Sequence, residues 1–326
     1  MTPISDSFGR PINYLRISVT DRCNLRCIYC MPLEGIETLP HTEILRYEEI
    51  IAVAKAAAGM GINKVRITGG EPLVRAGICN LVEMLAGVPG LDDISITTNG
   101  MLLKKYAAKL AHAGLQRVNV SLDSLDPEKF KQITRLGSLA EVLAGIESAH
   151  QAGLQPIKIN MVTMRGINED EILDFARKTI KEGWHVRYIE FMPIGQNRDD
   201  ENRFISIPEI RERIETLGTL QPGKLDGNGP ARYYRLPGAE GTIGFISPVS
   251  EHFCFQCNRL RLTADGKLRP CLLSDEEIDL RGPLRAGASI DELKGLLRQG
   301  IDSKPECHNL KLGLTARGRS MCQIGG

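Results

Sequence analysis

A recurring unit of helix, glycine and apolar strand constrains the fold of this chain more than any other feature of its sequence. The unit occurs at residues 56–68, 111–122, 149–162 and 181–192. A glycine just past a helix end is the usual left-handed cap, and strands joined by helical crossovers lie parallel. With further strands at 12–20 and 93–97, the sequence predicts an α/β fold of six βα units, too few for a closed eight-stranded barrel.

Composition allows one large α/β domain with an appendage. The chain has 326 residues, of which 42% are hydrophobic and 25% charged, and its net charge is +1. This balance disfavours a nucleic-acid coat or a polybasic membrane anchor. No run of 18 apolar residues and no signal or transit pattern occurs, so we expect a soluble, cytoplasmic protein without a membrane partner. In that reducing compartment, nine cysteines are better explained by metal binding and free thiols than by disulfides.

Basic residues interrupt several of the predicted strands. Parallel strands that are buried on both faces should be nearly continuous apolar runs, yet four strands contain a cation: Arg16, Arg66, Lys158 and Arg187. One such residue could lie at a sheet edge or pair with a core carboxylate such as Glu190. Because buried unpaired charges are costly, the four together predict a cavity for an anionic ligand such as a polyphosphate.

Six cysteines form two separated triplets. They are Cys23, Cys27 and Cys30 near the start and Cys254, Cys257 and Cys271 near the end. Structural zinc normally takes four protein ligands, whereas an iron-sulfur cubane on three thiolates keeps one iron free for another ligand. A bare C-x2-C pair is also typical of zinc sites and redox dithiols. A fourth ligand to the second triplet, which would favour zinc, could come from His252, Cys307, His308 or Cys322.

The first triplet has a more specific pattern. Its C-x3-C-x2-C spacing, with Tyr29 before the third cysteine, follows a predicted strand, and so does the Gly69-Gly70-Glu71-Pro72 stretch. No P-loop or dinucleotide fingerprint occurs. Together these motifs resemble the radical S-adenosylmethionine (SAM) superfamily, in which the free iron is chelated by the methionine moiety. The resemblance implies an open partial (βα)6 barrel of radical SAM type with a C-terminal cluster-binding extension.

The second triplet is predicted to be closed by a β-hairpin. Asp265-Gly266 is a good hairpin turn between residues 258–263 and 268–270. Such a hairpin returns Cys271 opposite about Leu260 and near Cys257.

The combined pattern resembles the GTP 3′,8-cyclase family of molybdenum cofactor biosynthesis protein A along essentially the whole chain. The added motifs are C-x2-C-x13-C with Arg259-Leu260-Arg261, and a chain that ends in Gly325-Gly326. The resemblance implies a radical SAM barrel at residues 5–225 and an auxiliary-cluster and GTP-binding region at 226–326. It further implies a lyase-type enzyme in which a 5′-deoxyadenosyl radical removes the ribose 3′ hydrogen of GTP, giving (8S)-3′,8-cyclo-7,8-dihydroguanosine 5′-triphosphate.

Residue roles follow from the same resemblance. Two 4Fe-4S clusters would be held, one by Cys23, Cys27 and Cys30 and the other by Cys254, Cys257 and Cys271. The SAM contacts would be Tyr29, Gly70, Ser121, Arg187 and Met192. The GTP contacts would be Arg16, Arg66, Thr97, Lys158, Arg259, Leu260 and Arg261. Gly325 and Gly326 would reach into the active site. No role is predicted for Cys79, Cys307 or Cys322.

Partners are also implied by the resemblance. They are GTP as substrate, a reductant such as flavodoxin or ferredoxin, a downstream cyclic pyranopterin monophosphate synthase and a possible second copy of the chain. Two other functions remain open from the sequence: a radical SAM peptide-modifying enzyme with an auxiliary cluster, and a non-catalytic iron-sulfur or zinc scaffold.

Overall fold

One mixed sheet forms the centre of the molecule. The structure, a computed structural model, describes residues 4–192, 194, 201–227, 229–308 and 318–325. In these parts of the chain the strands are β1 Tyr14–Ser18, β2 Lys64–Thr68, β3 Asp93–Thr98, β4 Arg117–Ser121, β5 Lys158–Thr163, β6 His185–Glu190, β7 Gln221–Pro222, β8 Arg232–Arg235, β9 Thr242–Ile246, β10 Arg259–Leu262, β11 Lys267–Arg269 and β12 Ile278–Asp279. Their order across the sheet is β12-β11-β10-β1-β2-β3-β4-β5-β6-β9-β8-β7.

Helices connect the first six strands and continue into the C-terminal region. They are α1 Tyr47–Ala58, α2 Ile78–Ala86, α3 Leu103–His112, α4 Pro127–Thr134, α5 Leu139–Gln151, α6 Ile172–Lys181, α7 Ile207–Glu215, α8 Arg281–Arg285, α9 Ile290–Asp302 and α10 Met321–Ile324. Gly114 and Gly153 follow α3 and α5 with φ of +97° and +75°, so the predicted left-handed caps are confirmed. Within the described residues, no helix is both long and apolar enough to cross a bilayer.

The sheet confirms the predicted open partial barrel. Strands β1 to β6 are neighbours in sequence order and parallel throughout. Two further parallel strands extend the barrel, because β9 pairs with β6 and β10 pairs with β1. In the described part of the chain β9 and β10 do not pair with each other, so the barrel stays open. The sequence did not predict β9 as a barrel strand and assigned β10 only to a hairpin.

The two faces of the parallel strands differ sharply. Leu15 and Ile17 alternate with Arg16 along β1 and are fully buried in the main hydrophobic core, which includes helix residues such as Ile50. On the opposite face, Arg16 lies in register with Arg66 of β2 and Arg261 of β10. The strands therefore turn apolar side chains toward the helices and cations into the barrel, which is why their apolar runs are interrupted.

The predicted hairpin forms, but its register differs by one residue. Strands β10 and β11 are antiparallel, and Arg261 pairs with Arg269. Continuing this register places Cys271 opposite Arg259, not opposite Leu260 as predicted. Gly266 adopts φ +79°, and the amide of Thr263 donates to the carbonyl of Lys267 at 2.9 Å. The loop therefore has three residues between paired positions, whereas a two-residue turn was expected.

Glu190 at the end of β6 connects this strand by hydrogen bonds to the start of α7 and to the segment after β9. Its carboxylate is fully buried and accepts hydrogen bonds from the amides of Ile207, Val249 and Ser250 at 2.9, 2.9 and 3.0 Å. The hydroxyl of Ser250 also donates to it. The hypothesis that Glu190 pairs with a strand cation is therefore wrong, because its carboxylate instead holds the start of α7 and the segment that leads to Cys254.

Replacing Glu190 by Gln tests this junction. The side-chain NH2 of the new glutamine is a donor and would face backbone amides that are also donors, so hydrogen bonds to Glu190 would be lost. Each hydrogen bond to a buried charged group is worth about 1.5–3 kcal/mol. The free energy of unfolding should therefore fall by roughly 2–4 kcal/mol. Chemical denaturation at matched cluster loading measures the change. Glu212→Gln, an exposed position on α7, is the control, and equal stability of the two variants would contradict the assignment.

Candidate active site

One cavity at the carboxyl ends of the barrel strands contains both cysteine triplets. Its walls include all six triplet cysteines and ten more of the predicted site residues: Arg16, Tyr29, Arg66, Gly70, Thr97, Ser121, Arg187, Met192, Arg259 and Arg261. Ligands of parallel α/β proteins bind at this end of the strands. The fold thus brings together predicted site residues that lie up to 255 positions apart, from Arg16 to Cys271.

The loop that carries the first triplet is held by the glycine pair after β2. The amide of Gly70 donates to the carbonyl of Thr20 at 2.7 Å, and that of Glu71 donates to Arg22 at 2.8 Å. A Cβ atom on Gly70 would press into the Arg22 carbonyl. Glycine is therefore required at position 70 so that the two loops can approach this closely.

Glu71 joins these loops to the next one. Its carboxylate is buried and accepts hydrogen bonds from the Thr98 hydroxyl and the Asn99 amide, both at 2.7 Å. Burial raises the pKa of Glu71 to about 7. The sequence indicated Glu71 only as part of a motif, whereas in the structure it is a buried acid at the wall of the cavity.

Asp123 is a second buried acid, and the sequence analysis missed it. The hydroxyl of Tyr29 donates to Asp123 Oδ2 at 2.7 Å, and the amide of Val162 donates to Oδ1 at 2.8 Å. Burial raises the pKa of Asp123 to about 6. The available signal was position, since Asp123 stands two residues after β4, where parallel strands present functional side chains. Two acids beside the first triplet suit a ligand that carries positive charge.

The second triplet lies in a more electropositive environment. Burial alone would raise the pKa of Cys257, but the nearby cations Arg259 and Lys304 outweigh it and lower the pKa to about 6. By contrast, burial raises the pKa of Cys23 in the first triplet to about 11. Lys304, another residue that the sequence analysis missed, is buried and donates to the carbonyls of Arg259 and Pro270 at 2.9 and 2.7 Å.

The spread of the triplet sulfurs fits a cluster better than a single zinc ion. Among the described residues, neither triplet has its three sulfur atoms all within 4.8 Å of one another. Ligands on one tetrahedral zinc lie about 3.3–3.8 Å apart, given bonds of about 2.0–2.3 Å. A larger group with three thiolate ligands and one open iron fits both triplets. Of the four candidate zinc ligands, Cys322 lies beside Cys30 of the first triplet, not at the second.

Cations dominate the other wall of the cavity. Within the described residues, no carboxylate forms an ion pair with Arg66, Arg187 or Arg261, although all three are buried. Arg187 instead donates to the Asn119 side-chain oxygen at 2.6 Å. Burial, followed by repulsion from Arg259, lowers the pKa of Arg261 to about 9. Such a row of buried cations favours an anionic ligand.

Several buried polar atoms in the cavity also lack a partner within the described residues. They are the Thr97 hydroxyl, the Asn160 side-chain oxygen and Arg187 Nε. Buried polar groups in proteins are nearly always hydrogen-bonded. The cavity therefore fits a polar ligand with both donors and acceptors.

Three of the predicted residues lie outside the cavity wall, and a fourth is not described. Lys158 donates to the Asp226 carbonyl beside the Tyr233 ring, and burial, with Arg187 next, lowers its pKa to about 6. The Leu260 side chain is fully buried in the apolar core. Gly325 is not among the residues of the cavity wall, and Gly326 lies outside the described residues.

Gly325 contacts the row of arginines. Its carbonyl accepts hydrogen bonds from Arg16 Nη2 at 3.2 Å and Arg261 Nη1 at 2.9 Å. Its φ is +70°, and an added Cβ would press on the hydroxyl of Thr68 and lie 3.2 Å from Ser18 Cβ. Only glycine combines this backbone conformation with so little space.

Comparison with protein families divides the chain into two matching regions. Residues 17–179 match the radical SAM superfamily, and residues 184–310 match Molybdenum Cofactor Synthesis C. Curated relatives are similar over nearly the whole chain. The GTP 3′,8-cyclase of Thermodesulfovibrio yellowstonii is 56% identical, with 93% of this chain and 95% of the relative covered. The GTP 3′,8-cyclase of Pelotomaculum thermopropionicum is 53% identical, with 99% and 100% covered.

Solved structures share the fold at low sequence identity. SuiB of Streptococcus suis, bound to the precursor peptide SuiA, is 15% identical with a TM-score of 0.65, and the alignment covers 96% of this chain and 76% of SuiB. The protein anSMEcpe with bound AdoMet is 16% identical with a TM-score of 0.59, covering 90% and 81%. These likenesses concern the architecture alone.

Proposed function

Because this chain belongs to the GTP 3′,8-cyclase family of radical SAM proteins, we propose that it converts GTP into (8S)-3′,8-cyclo-7,8-dihydroguanosine 5′-triphosphate, an early step of molybdenum cofactor biosynthesis. The observation that carries this proposal is the single cavity that both cysteine triplets and the row of buried arginines line. One end suits a cationic sulfonium ligand and the other a polyphosphate. The reaction would be of the lyase type.

The first triplet would hold a 4Fe-4S cluster that binds SAM. When bound, the cluster and SAM supply a 5′-deoxyadenosyl radical that can remove the ribose 3′ hydrogen. The surrounding residues bind and orient SAM: Tyr29, Gly70, Ser121, Met192 and the Arg187 guanidinium, which would bind the carboxylate. Glu71 and Asp123, when ionised, would attract the positively charged amino and sulfonium groups.

The rest of the cavity would bind GTP. Arg16, Arg66 and Arg261 lie side by side in register and would share the triphosphate charge, which offsets the cost of their burial. Thr97 and Arg259 also line the cavity and would be further contacts, whereas Lys158 and Leu260, the other two contacts implied by the sequence, lie outside its wall. A second 4Fe-4S cluster on Cys254, Cys257 and Cys271 would bind the guanine base, and holding C8 beside C3′ would accelerate ring closure by proximity.

The two regions would divide this work. Residues 5–225 would supply the SAM site, and residues 226–326 would supply the second cluster and much of the GTP site, although β9 and β10 of the latter extend the same open barrel. A flavodoxin or ferredoxin in the cytoplasm would deliver the electron, and cyclic pyranopterin monophosphate synthase would take the product. A peptide substrate would bring only isolated carboxylates to the in-register arginines, whereas a triphosphate brings several negative charges to one place, so the geometry favours GTP.

Two cysteine substitutions test the division between the clusters. Cys23→Ala should abolish formation of both 5′-deoxyadenosine and the cyclic product, because SAM loses its iron ligand. Cys254→Ala should retain 5′-deoxyadenosine formation uncoupled from GTP and lose the cyclic product by at least about 100-fold, the scale of misplaced reactants. Anaerobic assays of both products on reconstituted protein measure this, and equal loss of both activities in the two variants would contradict it.

A methyl group on Gly325 tests the role of the tail. Gly325→Ala should crowd Thr68 and displace the carbonyl from Arg16 and Arg261, so the cyclic product should fall about tenfold or more while the chain stays folded. Gly238→Ala is the matched control, because Gly238 has φ +71° and no described atom within 4 Å of an added Cβ. If the two variants form the cyclic product at the same rate, the contacts of Gly325 with Thr68, Arg16 and Arg261 do not contribute to the reaction, and the proposed role of the tail is wrong.

A further inference from the structure

His252, Cys254 and Cys307 form a compact group beside the second triplet. Their ligand atoms all lie within 4.8 Å of one another, a property that no other group of three or more His, Cys, Asp or Glu residues in the described chain shares. The Cys307 sulfur lies 3.8 Å from His252 Nδ1 and 3.9 Å from Nε2. The first two residues precede β10 and the third follows α9, so only folding brings them together.

A buried arginine holds the two segments that carry these ligands. Arg10 Nη1 donates to the carbonyls of Cys254 and Glu306, each at 2.8 Å, and Nη2 donates to Pro305 at 2.8 Å. Asp6 fixes this guanidinium through a buried 2.6 Å ion pair. The backbone on both sides of the group is therefore fixed before any ion binds, which lowers the cost of ordering the ligands.

The histidine side chain is also held in place. The ring of His308 packs edge-on against that of His252, with centroids 5.6 Å apart, and His308 Nε2 donates to the Pro248 carbonyl at 2.8 Å. A Cys2His ligand set with an open fourth position is a known zinc arrangement. The 3.8 Å separation of nitrogen and sulfur needs to shorten by only a few tenths of an ångström, since such ligands lie about 3.5 Å apart on zinc.

We propose that His252, Cys254 and Cys307 bind one zinc ion in chains whose second triplet carries no cluster. The inference rests on the proposed function in one respect, the assignment of Cys254 to the second cluster. Because Cys254 would serve both sites, zinc and the cluster exclude each other. Binding would convert two thiols to thiolates with release of their protons and involves no electron transfer.

Cobalt titration of the cluster-free full chain tests the site, because tetrahedral Co²⁺ reports thiolate ligands by absorption. Replacing Cys23, Cys27 and Cys30 together by Ala removes the competing first triplet, and circular dichroism verifies that the chain is folded. The proposal predicts one equivalent of Co²⁺ with two thiolate ligands, displaced by Zn²⁺. Cys307→Ser and His252→Asn should each weaken Co²⁺ binding at least about tenfold, since even an outer-shell partner of a ligand is worth that much.

Cys257→Ser is the matched control, because it removes a cysteine of the triplet that lies outside the proposed zinc group. Co²⁺ affinity that is unchanged in this variant and reduced in Cys307→Ser supports the site. If Cys257→Ser weakens Co²⁺ binding as much as Cys307→Ser, the ion occupies the triplet and the proposal is wrong. Absence of binding, or binding unaffected by both His252→Asn and Cys307→Ser, also overturns it.

Iron content tests the exclusion separately. Zinc added before reconstitution should lower the iron of the native chain by about four atoms, one 4Fe-4S cluster, and should have no such effect on Cys307→Ser. Full iron loading of zinc-treated native chain would overturn the exclusion. If the untreated chain never carries a second cluster, the proposed second cluster fails, and the cobalt titration alone decides the zinc site.

Discussion

Buried positive charge inside the barrel is the constraint on which the rest of the structure depends. Arg16, Arg66 and Arg261 are buried side by side on three adjacent strands, and burial, followed by repulsion from a neighbouring arginine, lowers the pKa of Arg16 and of Arg261. Burial lowers the pKa of Arg187 as well. A counter-charge would stabilise such a row, and a triphosphate would provide it; two of the arginines, Arg16 and Arg261, also donate to the Gly325 carbonyl.

The two cysteine sites differ in charge, and this difference separates their roles. The first lies beside Glu71 and Asp123, whose raised pKa values of about 7 and 6 show that burial makes their ionised forms costly until a cation binds. The second lies beside Arg259 and Lys304, which lower the pKa of Cys257. A positively charged SAM would therefore suit the first site, and a negatively charged nucleotide would suit the second. Because both sites line one cavity, a 5′-deoxyadenosyl radical formed at the first site would be able to react with a nucleotide bound at the second.

The sequence predicted the features that repeat or have a strict spacing. Four of the six predicted barrel strands followed from the helix, glycine and strand units, the other two from apolar runs, and the cysteine and Gly69-Gly70 motifs indicated the site. It did not predict β9 as a barrel strand, because Gly244 interrupts its apolar run, and an added Cβ there would lie 2.9 Å from Arg187. Asp123, Lys304 and the hydrogen bonds of Arg10 to the segments that carry Cys254 and Cys307 were also missed. Their roles depend on partners that are far away in sequence, which local patterns do not encode.

The measurement that tests the central claim most directly is hydrogen transfer between the two ends of the cavity. The anaerobically reconstituted chain would be reduced with SAM and GTP carrying deuterium at C3′, and 5′-deoxyadenosine would be analysed by mass spectrometry. If one cavity holds both ligands, deuterium appears in 5′-deoxyadenosine in an amount matched to the cyclic product. Deuterium retained on the nucleotide, with 5′-deoxyadenosine formed equally without GTP, would show that the two sites do not act on one substrate.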